Sequence, residues 1–264
     1  MSGVSATRTL TVIVPALNEE DNLEGAVRTV IAAIGDLFTD YELLIFDDGS
    51  TDNTGQIAER LAAHNPRIRV TRNPRNLGLG CNYTKGIELA RMEYVAWFPG
   101  DNEVPEEAVR AILSAVGSAE IVVPYISNPE VRTLSRRLIS RSFVRLLNFL
   151  FGLRLGYFNG PCVYSRRLLQ SVPIQSSGFA CFGAILIRLI LSGHSYIEIP
   201  IPTGTRQHGR TKAFRLKNVT SVLGTVAGLY WDVRVRDRHK YAAVGKRIEC
   251  TTLSCGVSPV GRKP

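Results

Sequence analysis

The stretch that decides the fold is Tyr94-Val95-Ala96-Trp97-Phe98-Pro99-Gly100-Asp101-Asn102-Glu103, a short apolar strand that ends in acids. Two earlier apolar segments end in the same way, at Pro15-Ala16-Leu17-Asn18-Glu19-Glu20 and at Asp47-Asp48-Gly49-Ser50-Thr51-Asp52. In an open parallel sheet the carboxyl ends of the strands line one edge, where ligands bind. We therefore expect these carboxylates to meet in one crevice. Such a crevice suits a divalent metal that carries a diphosphate.

The first half of the chain alternates strand and helix patterns. Strands are predicted at Leu10–Val14, Glu42–Phe46, Arg67–Thr71, Tyr94–Phe98 and Glu120–Val123, and helices at Glu19–Ile34, Asp52–His64, Leu79–Arg91 and Pro105–Val116. This order indicates βαβ units with right-handed crossovers, and therefore an α/β fold with a Rossmann-like, mostly parallel sheet flanked by helices. Later strands are predicted at 158–164 and 196–199, and later helices at 179–192 and 217–231. We expect residues 236–264 to form a disordered tail.

The charge is divided unevenly along the 264 residues, whose net charge is +9. Residues 1–130 contain 10 Lys and Arg against 19 Asp and Glu, whereas residues 131–264 contain 22 against 4. No acid occurs from Val131 to Ile197, a stretch that contains nine arginines. This asymmetry predicts a basic surface that faces phosphate or anionic lipid. The basic region has few interleaved aromatic residues, so we expect no nucleic-acid partner.

The segment Val131–Leu155 combines apolar residues with arginines, most of them four apart. It fits an amphipathic helix at a membrane surface, and equally a helix packed on the sheet with a solvated arginine face. No uninterrupted apolar stretch is long enough for a transmembrane helix, and the N-terminus does not resemble a signal peptide. We therefore expect a cytoplasmic protein associated peripherally with the membrane. The five cysteines lack zinc-site spacing and are expected to be reduced thiols.

Four of these motifs, in this order, resemble the inverting glycosyltransferases of family 2, which have the GT-A fold. The resemblance covers roughly residues 8–235 and rests on the two motifs after Val14 and Phe46, on Asn76-Leu77-Gly78-Leu79-Gly80, and on Pro99-Gly100-Asp101. It is strongest to the dolichol-phosphate mannose synthase group, which glycosylates a polyprenyl phosphate. The resemblance implies one domain over 1–235, with a nucleotide-sugar-binding half at 1–124 and an acceptor- or membrane-facing half at 125–235.

The resemblance also implies roles for the residues at the strand ends. The first motif of the family contacts the nucleoside, which here corresponds to Pro15, Ala16 and Glu19. Carboxylates can accept hydrogen bonds from base and ribose donors, and glycine before a helix N-terminus lets the backbone approach an anion. We therefore expect the nucleotide sugar to bind at these three residues and at Asp47, Asp48, Gly78, Lys85 and Asp101.

The metal motif departs from the Asp-X-Asp of the family, because Pro99 stands where the first acid is expected. We predict that Asp101, the candidate catalytic residue, holds Mg²⁺ or Mn²⁺ together with Glu103. The metal would neutralise the leaving nucleoside diphosphate.

The acceptor side departs from the family as well. In many relatives a carboxylate near a Gly-Phe segment acts as the catalytic base, whereas no acid lies near Gly178-Phe179 here. A phosphate acceptor has a second pKa of about 6, so it needs positive charge rather than a base. The basic loop resembles the family's Arg-X-X-Gly-X-Ser-Lys motif. We expect the acceptor phosphate to bind at Arg132, Arg206, His208, Arg210 and Lys212.

Three functions remain open from the sequence. The first is transfer of a sugar from a nucleoside diphosphate sugar to a polyprenyl phosphate. The second is transfer to a sugar hydroxyl, with a base from the first half of the chain. The third is a non-catalytic relative that binds sugar nucleotide or membrane, which the altered metal motif would allow.

Overall fold

A computed structural model describes residues 8–174, 178, 180–204 and 224–249. Eight strands form a single sheet: β1 Thr9–Ala16, β2 Asp40–Asp47, β3 Ile68–Arg72, β4 Tyr94–Trp97, β5 Ile121–Ile126, β6 Val163–Ser165, β7 Tyr196–Ile201 and β8 Arg247–Ile248. Their order in the sheet is β3-β2-β1-β4-β6-β5-β7-β8. Of the strands in the described ranges, only β6 runs antiparallel to its neighbours, β4 and β5. The prediction of a mostly parallel α/β sheet is confirmed.

Among the described residues, seven α-helices lie between β1 and β7: α1 Leu23–Ile34, α2 Thr54–His64, α3 Leu79–Leu89, α4 Glu106–Ser114, α5 Leu134–Phe151, α6 Arg166–Ser171 and α7 Ala180–Leu191. A 3-10 turn at Pro129–Val131 precedes α5. A helical segment at 224–230 continues into a π-helix at Trp231–Arg236. Within the described ranges, no helix has both the length and the apolar character needed to cross a bilayer.

Two apolar cores lie on the two faces of the sheet because strand side chains alternate in direction. On β1, Val12 and Val14 face the core formed with α1, α2 and α4, whereas Ile13 faces the core formed with α3, α5 and α7. All twelve residues of α7 are buried, and Arg188 is the one charged residue among them. The sheet is therefore covered on both faces, and its carboxyl edge is left for ligands.

Three predictions about element bounds are wrong. The first helix begins at Leu23 rather than Glu19, since residues 17–22 form a loop that is bonded to the next strand end. The predicted strand at 158–164 is reduced to Val163–Ser165; Pro161 in its middle cannot donate a ladder hydrogen bond. The tail predicted to be disordered over residues 236–264 contains β8 in its described part, where β8 pairs in parallel with β7; residues 250–264 lie outside the described residues.

Candidate active site

The strand order places the ends of β2, β1 and β4 side by side, and backbone hydrogen bonds join the loops that follow them. Gly100 N donates to Pro15 O at 3.0 Å, and Asp48 N donates to Ala16 O at 2.9 Å. A Cβ on Gly100 would lie 3.1 Å from Ala16 Cβ, so the two loops approach closely at a glycine. The prediction that the three acidic motifs meet at one sheet edge is confirmed.

Glu19 links two of these loops from a buried position. Its backbone N–H donates to Thr54 Oγ1 at 2.8 Å, and its carboxylate accepts from Asn22 Nδ2 at 2.8 Å. Pro15 is half-buried and Ala16 is buried at the end of β1. The backbone of Pro15 and Ala16 thus lies where the three loops meet, and Glu19 bonds the loop after β1 to the start of α2.

Asp47 and Asp48 are both buried, and both carboxylates accept hydrogen bonds from other residues of the protein. Asp47 accepts from Ser50 N at 3.0 Å and from Arg72 Nε at 3.2 Å. Asp48 accepts from three donors, at 2.8 Å, 2.9 Å and 3.0 Å: Leu77 N, Asn73 Nδ2 and Gly78 N. Asp48 therefore fixes the loop that leads into α3.

Gly78 is the N-cap of α3 and has φ 93°, a conformation that favours glycine. Its N–H is directed to Asp48. Lys85, which we expected to add positive charge to the nucleotide site, is exposed on α3.

Asp52 closes the β2 motif and is ionised more readily than an ordinary aspartate. Burial tends to raise its pKa. Hydrogen bonds from the Thr54 hydroxyl, from Thr54 N–H and from Glu20 N–H outweigh that effect and lower the pKa below its usual value. The anion thus stabilises the turn into α2.

Asp101 and Glu103 follow β4 and are both half-buried. Asp101 Oδ1 accepts from Glu103 N at 3.1 Å, and Arg136 Nη2 lies 3.9 Å from Glu103 Oε2. In the described part of the chain, no three His, Cys, Asp or Glu side chains are grouped as a complete metal site. Mg²⁺ is commonly held by one or two carboxylates together with substrate phosphates. The pair therefore fits a metal that arrives with a diphosphate.

Arg132 lies in a cavity of about 290 Å³ between the 3-10 turn, α5 and the loop after α5. We call it the arginine cavity. It is lined by four arginines and six other residues: Arg132, Arg137, Arg141, Arg145, Ile126, Pro129, Ser140, Val144, Gly156 and Tyr157. None of the four arginines forms an ion pair with any acid that the structure describes, and Arg137 Nε is buried without a hydrogen-bond partner. The cavity is therefore a concentration of uncompensated positive charge.

The other predicted acceptor residues, Arg206, His208, Arg210 and Lys212, lie outside the described residues. Gly204, the last described residue before this segment, donates its N–H to Glu103 O at 3.1 Å. The chain therefore enters the basic loop beside the candidate metal ligand.

Sequence reasoning missed Arg136, Arg137 and Asn73. Arg136 and Arg137 belong to a basic segment that the sequence shows. That Arg136 lies near Glu103 while Arg137 lines the arginine cavity depends on the position of α5. Asn73, which bonds both Asp48 and Asn82, follows β3 without any motif to mark it.

The model of the family described as glycosyl transferase family 2 matches residues 11–172, which include every strand-end motif above. The chain belongs to glycosyl transferase family 2. It is therefore a glycosyltransferase. The glycosyltransferase is 29% identical over 247 residues to a polyprenol monophosphomannose synthase of Mycolicibacterium smegmatis, covering 88% of this chain and 90% of that protein.

A second relative is an undecaprenyl-phosphate 4-deoxy-4-formamido-L-arabinose transferase of Edwardsiella ictaluri, 26% identical over 233 residues, with 87% of this chain and 70% of that protein covered. Among solved structures, glucosyl-3-phosphoglycerate synthase from Mycobacterium tuberculosis, in complex with Mn²⁺, UDP and glucosyl-3-phosphoglycerate, has a TM-score of 0.63. Its sequence identity is 23%, with 85% of this chain and 80% of that chain covered. This likeness confirms the GT-A-like fold.

Proposed function

We propose that this glycosyltransferase moves a sugar from a nucleoside diphosphate sugar to a polyprenyl phosphate, with inversion at the anomeric carbon. The observation that carries the proposal is the arginine cavity, in which four guanidinium groups have no acidic partner among the described residues. Two relatives named for polyprenol or undecaprenyl-phosphate substrates support it. A soluble sugar hydroxyl would have no use for this charge, whereas a phosphate dianion would.

The donor would bind at the crevice formed by the ends of β1, β2 and β4. Asp101 and Glu103 would hold Mg²⁺ or Mn²⁺ there, and the metal would offset the negative charge of the diphosphate. The solved glucosyl-3-phosphoglycerate synthase complexes contain UDP with Mn²⁺ or with Mg²⁺, which agrees with this assignment. Asp48 would act indirectly, because it positions Gly78 at the N-terminus of α3, where backbone N–H groups favour anions.

The acceptor would lie in the arginine cavity, which shares helix α5 with the donor side. Arg136 points to Glu103, while the next residue, Arg137, lines the cavity. An acceptor phosphate oxygen would form the new bond to the anomeric carbon as the nucleoside diphosphate leaves. The phosphate dianion carries no proton on the attacking oxygen, so no catalytic base is required. We also propose that the basic loop containing Arg206, His208, Arg210 and Lys212 contributes to this phosphate site.

Nucleoside diphosphate release from UDP-, GDP- and dTDP-sugars tests the assignment, with Mg²⁺ or Mn²⁺ and with short polyprenyl phosphates. We expect release that requires the lipid phosphate and is lost with the dephosphorylated lipid. Asp101→Asn should lower turnover at least about a hundredfold by weakening donor and metal binding. Exposed Asp21→Asn is the matched control. Equal transfer to phosphorylated and dephosphorylated acceptors would favour the hydroxyl-acceptor function instead.

We further propose peripheral attachment to an anionic membrane through α5. One face of α5 packs on the core through Leu147 and Phe151, so the interpretation of a packed helix holds for that face. Another face exposes large apolar side chains, of which Phe149 is 85% exposed. The set consists of Leu134, Leu138, Ile139, Leu146 and Phe149, and Trp231 of the π-helix is exposed as well. Apolar residues beside arginines match an interfacial helix on anionic lipid.

Flotation with anionic vesicles tests this attachment. Phe149→Asp should weaken vesicle binding roughly tenfold or more, since it removes an aromatic side chain that would insert into the bilayer and adds a charge that anionic lipid repels. Val244→Asp is the matched control, because Val244 is also exposed, at 62%, but lies beside β8. Equal binding of both variants and the wild type would exclude α5 as the attachment surface.

A further inference from the structure

One wall of the arginine cavity is formed by Gly156 and Tyr157 of the α5–β6 loop, residues 152–162. Asn148 of α5 holds the loop on one side. Its Nδ2 donates to Leu155 O at 2.9 Å, and its Oδ1 accepts from Leu155 N at 3.0 Å. The side of the loop next to α5 is therefore attached to the same helix that carries the arginines.

Glu198 of β7 holds the loop on the other side. Its side chain is fully buried, and its Oε1 accepts from Gly156 N at 2.6 Å. A Cβ at position 156 would lie 3.1 Å from both Glu198 Oε1 and Tyr125 Cβ, so this close approach depends on glycine. The position of the cavity wall is thus set by a buried carboxylate.

A buried carboxylate remains ionised only when a cation or several donors compensate its charge. Arg247 of β8 supplies the cation, with Nη2 2.9 Å from Glu198 Oε2. The two atoms are at ion-pair distance but are not aligned as a hydrogen bond. The negative charge on Oε2 is therefore compensated by the positive charge of Arg247 rather than by a hydrogen-bond donor. Backbone bonds hold Arg247 there, because Tyr196 N donates to Lys246 O at 3.0 Å and β8 pairs with β7.

We propose that Glu198 and Arg247 are positioning residues for the acceptor, through which the C-terminal strand β8 sets the wall of the arginine cavity. The proposal rests on the proposed function in placing the acceptor phosphate in that cavity. Neither residue touches the phosphate. Arg247 is paired with Glu198, Glu198 holds Gly156 N–H, and Gly156 places Tyr157 and the loop opposite the arginines of α5.

Steady-state kinetics with a short-chain isoprenyl phosphate give the first test. Arg247→Ala should raise the acceptor KM on the order of tenfold while the donor KM stays unchanged, because only the acceptor wall moves. Arg247→Lys should recover most of the loss. Lys246→Ala removes the same charge from the neighbouring exposed position and should match the wild type. An unchanged acceptor KM in Arg247→Ala, or equal changes in both KM values, would overturn the proposal.

Amide hydrogen exchange of Gly156 gives a test that needs no turnover. Arg247→Ala should accelerate exchange at Gly156 at least about tenfold. Adding Glu198→Gln to that variant should restore protection, because the neutral amide still accepts from Gly156 N–H and needs no cation. Absence of lipid-dependent turnover in the wild type would count against the proposed function alone. Unchanged Gly156 exchange in Arg247→Ala would count against the positioning role alone.

Discussion

Replacing Asp48 by alanine tests whether this carboxylate supports the donor site from within the protein. The side chain is 5% exposed and accepts from three donors, at 2.8 Å, 2.9 Å and 3.0 Å. An unsatisfied buried donor costs about 1–3 kcal/mol. Asn73 is buried and keeps its bond to Asn82 Oδ1 at 2.6 Å, so one of its two amide N–H groups is left unsatisfied. The N–H groups of Leu77 and Gly78 lie nearer the surface, and water relieves part of their cost. We expect a loss of about 3–4 kcal/mol of unfolding free energy.

Urea unfolding and donor kinetics on the same variants measure this effect. The loop that ends at Gly78 should loosen, so the donor KM should rise together with the loss of stability. Asp48→Asn keeps one acceptor oxygen and should fall between Asp48→Ala and the wild type. Asp21→Ala removes an exposed acid and should stay within about 0.5 kcal/mol of the wild type. If Asp48→Ala raised the donor KM and kept wild-type stability, Asp48 would contact the donor directly, and the reasoning would be refuted.

Two further predictions concern the interior. Asp232→Ala should cost about 3–5 kcal/mol of unfolding free energy because it leaves the buried Arg188 without its 2.7 Å partner. Arg188→Met should cost less, since Asp232 retains Arg236 at 2.9 Å; equal losses in urea unfolding would contradict this. Burial raises the pKa of Cys162 to about 12, so its thiolate is scarce at pH 8. Iodoacetamide should therefore label exposed Cys81 in the folded protein and spare Cys162, as peptide mass mapping would show; rapid labelling of Cys162 would contradict its burial.

Much of the fold and part of the candidate site could be predicted from local patterns in the sequence. The alternation of apolar and polar residues located the strands, and acids after three of them marked one edge of the sheet. A parallel sheet allows that deduction, because its strand ends share an edge whatever the exact register. Contacts such as the bond from Gly100 N to Pro15 O confirm it.

Sequence reasoning fell short where a residue's partner is distant in sequence. The role of Asp48 in binding the nucleotide sugar stays a prediction, but the sequence did not show that its oxygens also bond residues 25 to 30 positions away. The segment containing Arg247 looked like a polar tail, because its order comes from pairing with β7 and from the buried charge of Glu198. The composition of a segment indicates how much apolar surface it can bury, but it does not indicate which distant residue it will pair with.

The sequence by itself determined the α/β architecture, the family and the edge of the sheet at which the acidic motifs meet, because these depend on short periodic patterns and on motifs at strand ends. Only the tertiary structure decided how the arginines of α5 are used. Arg136 and Arg137 are adjacent in the chain, but the helical turn directs one to Glu103 and the other into the arginine cavity. Side-chain direction on a helix is set by the packing of that helix, which a linear sequence of charges does not contain.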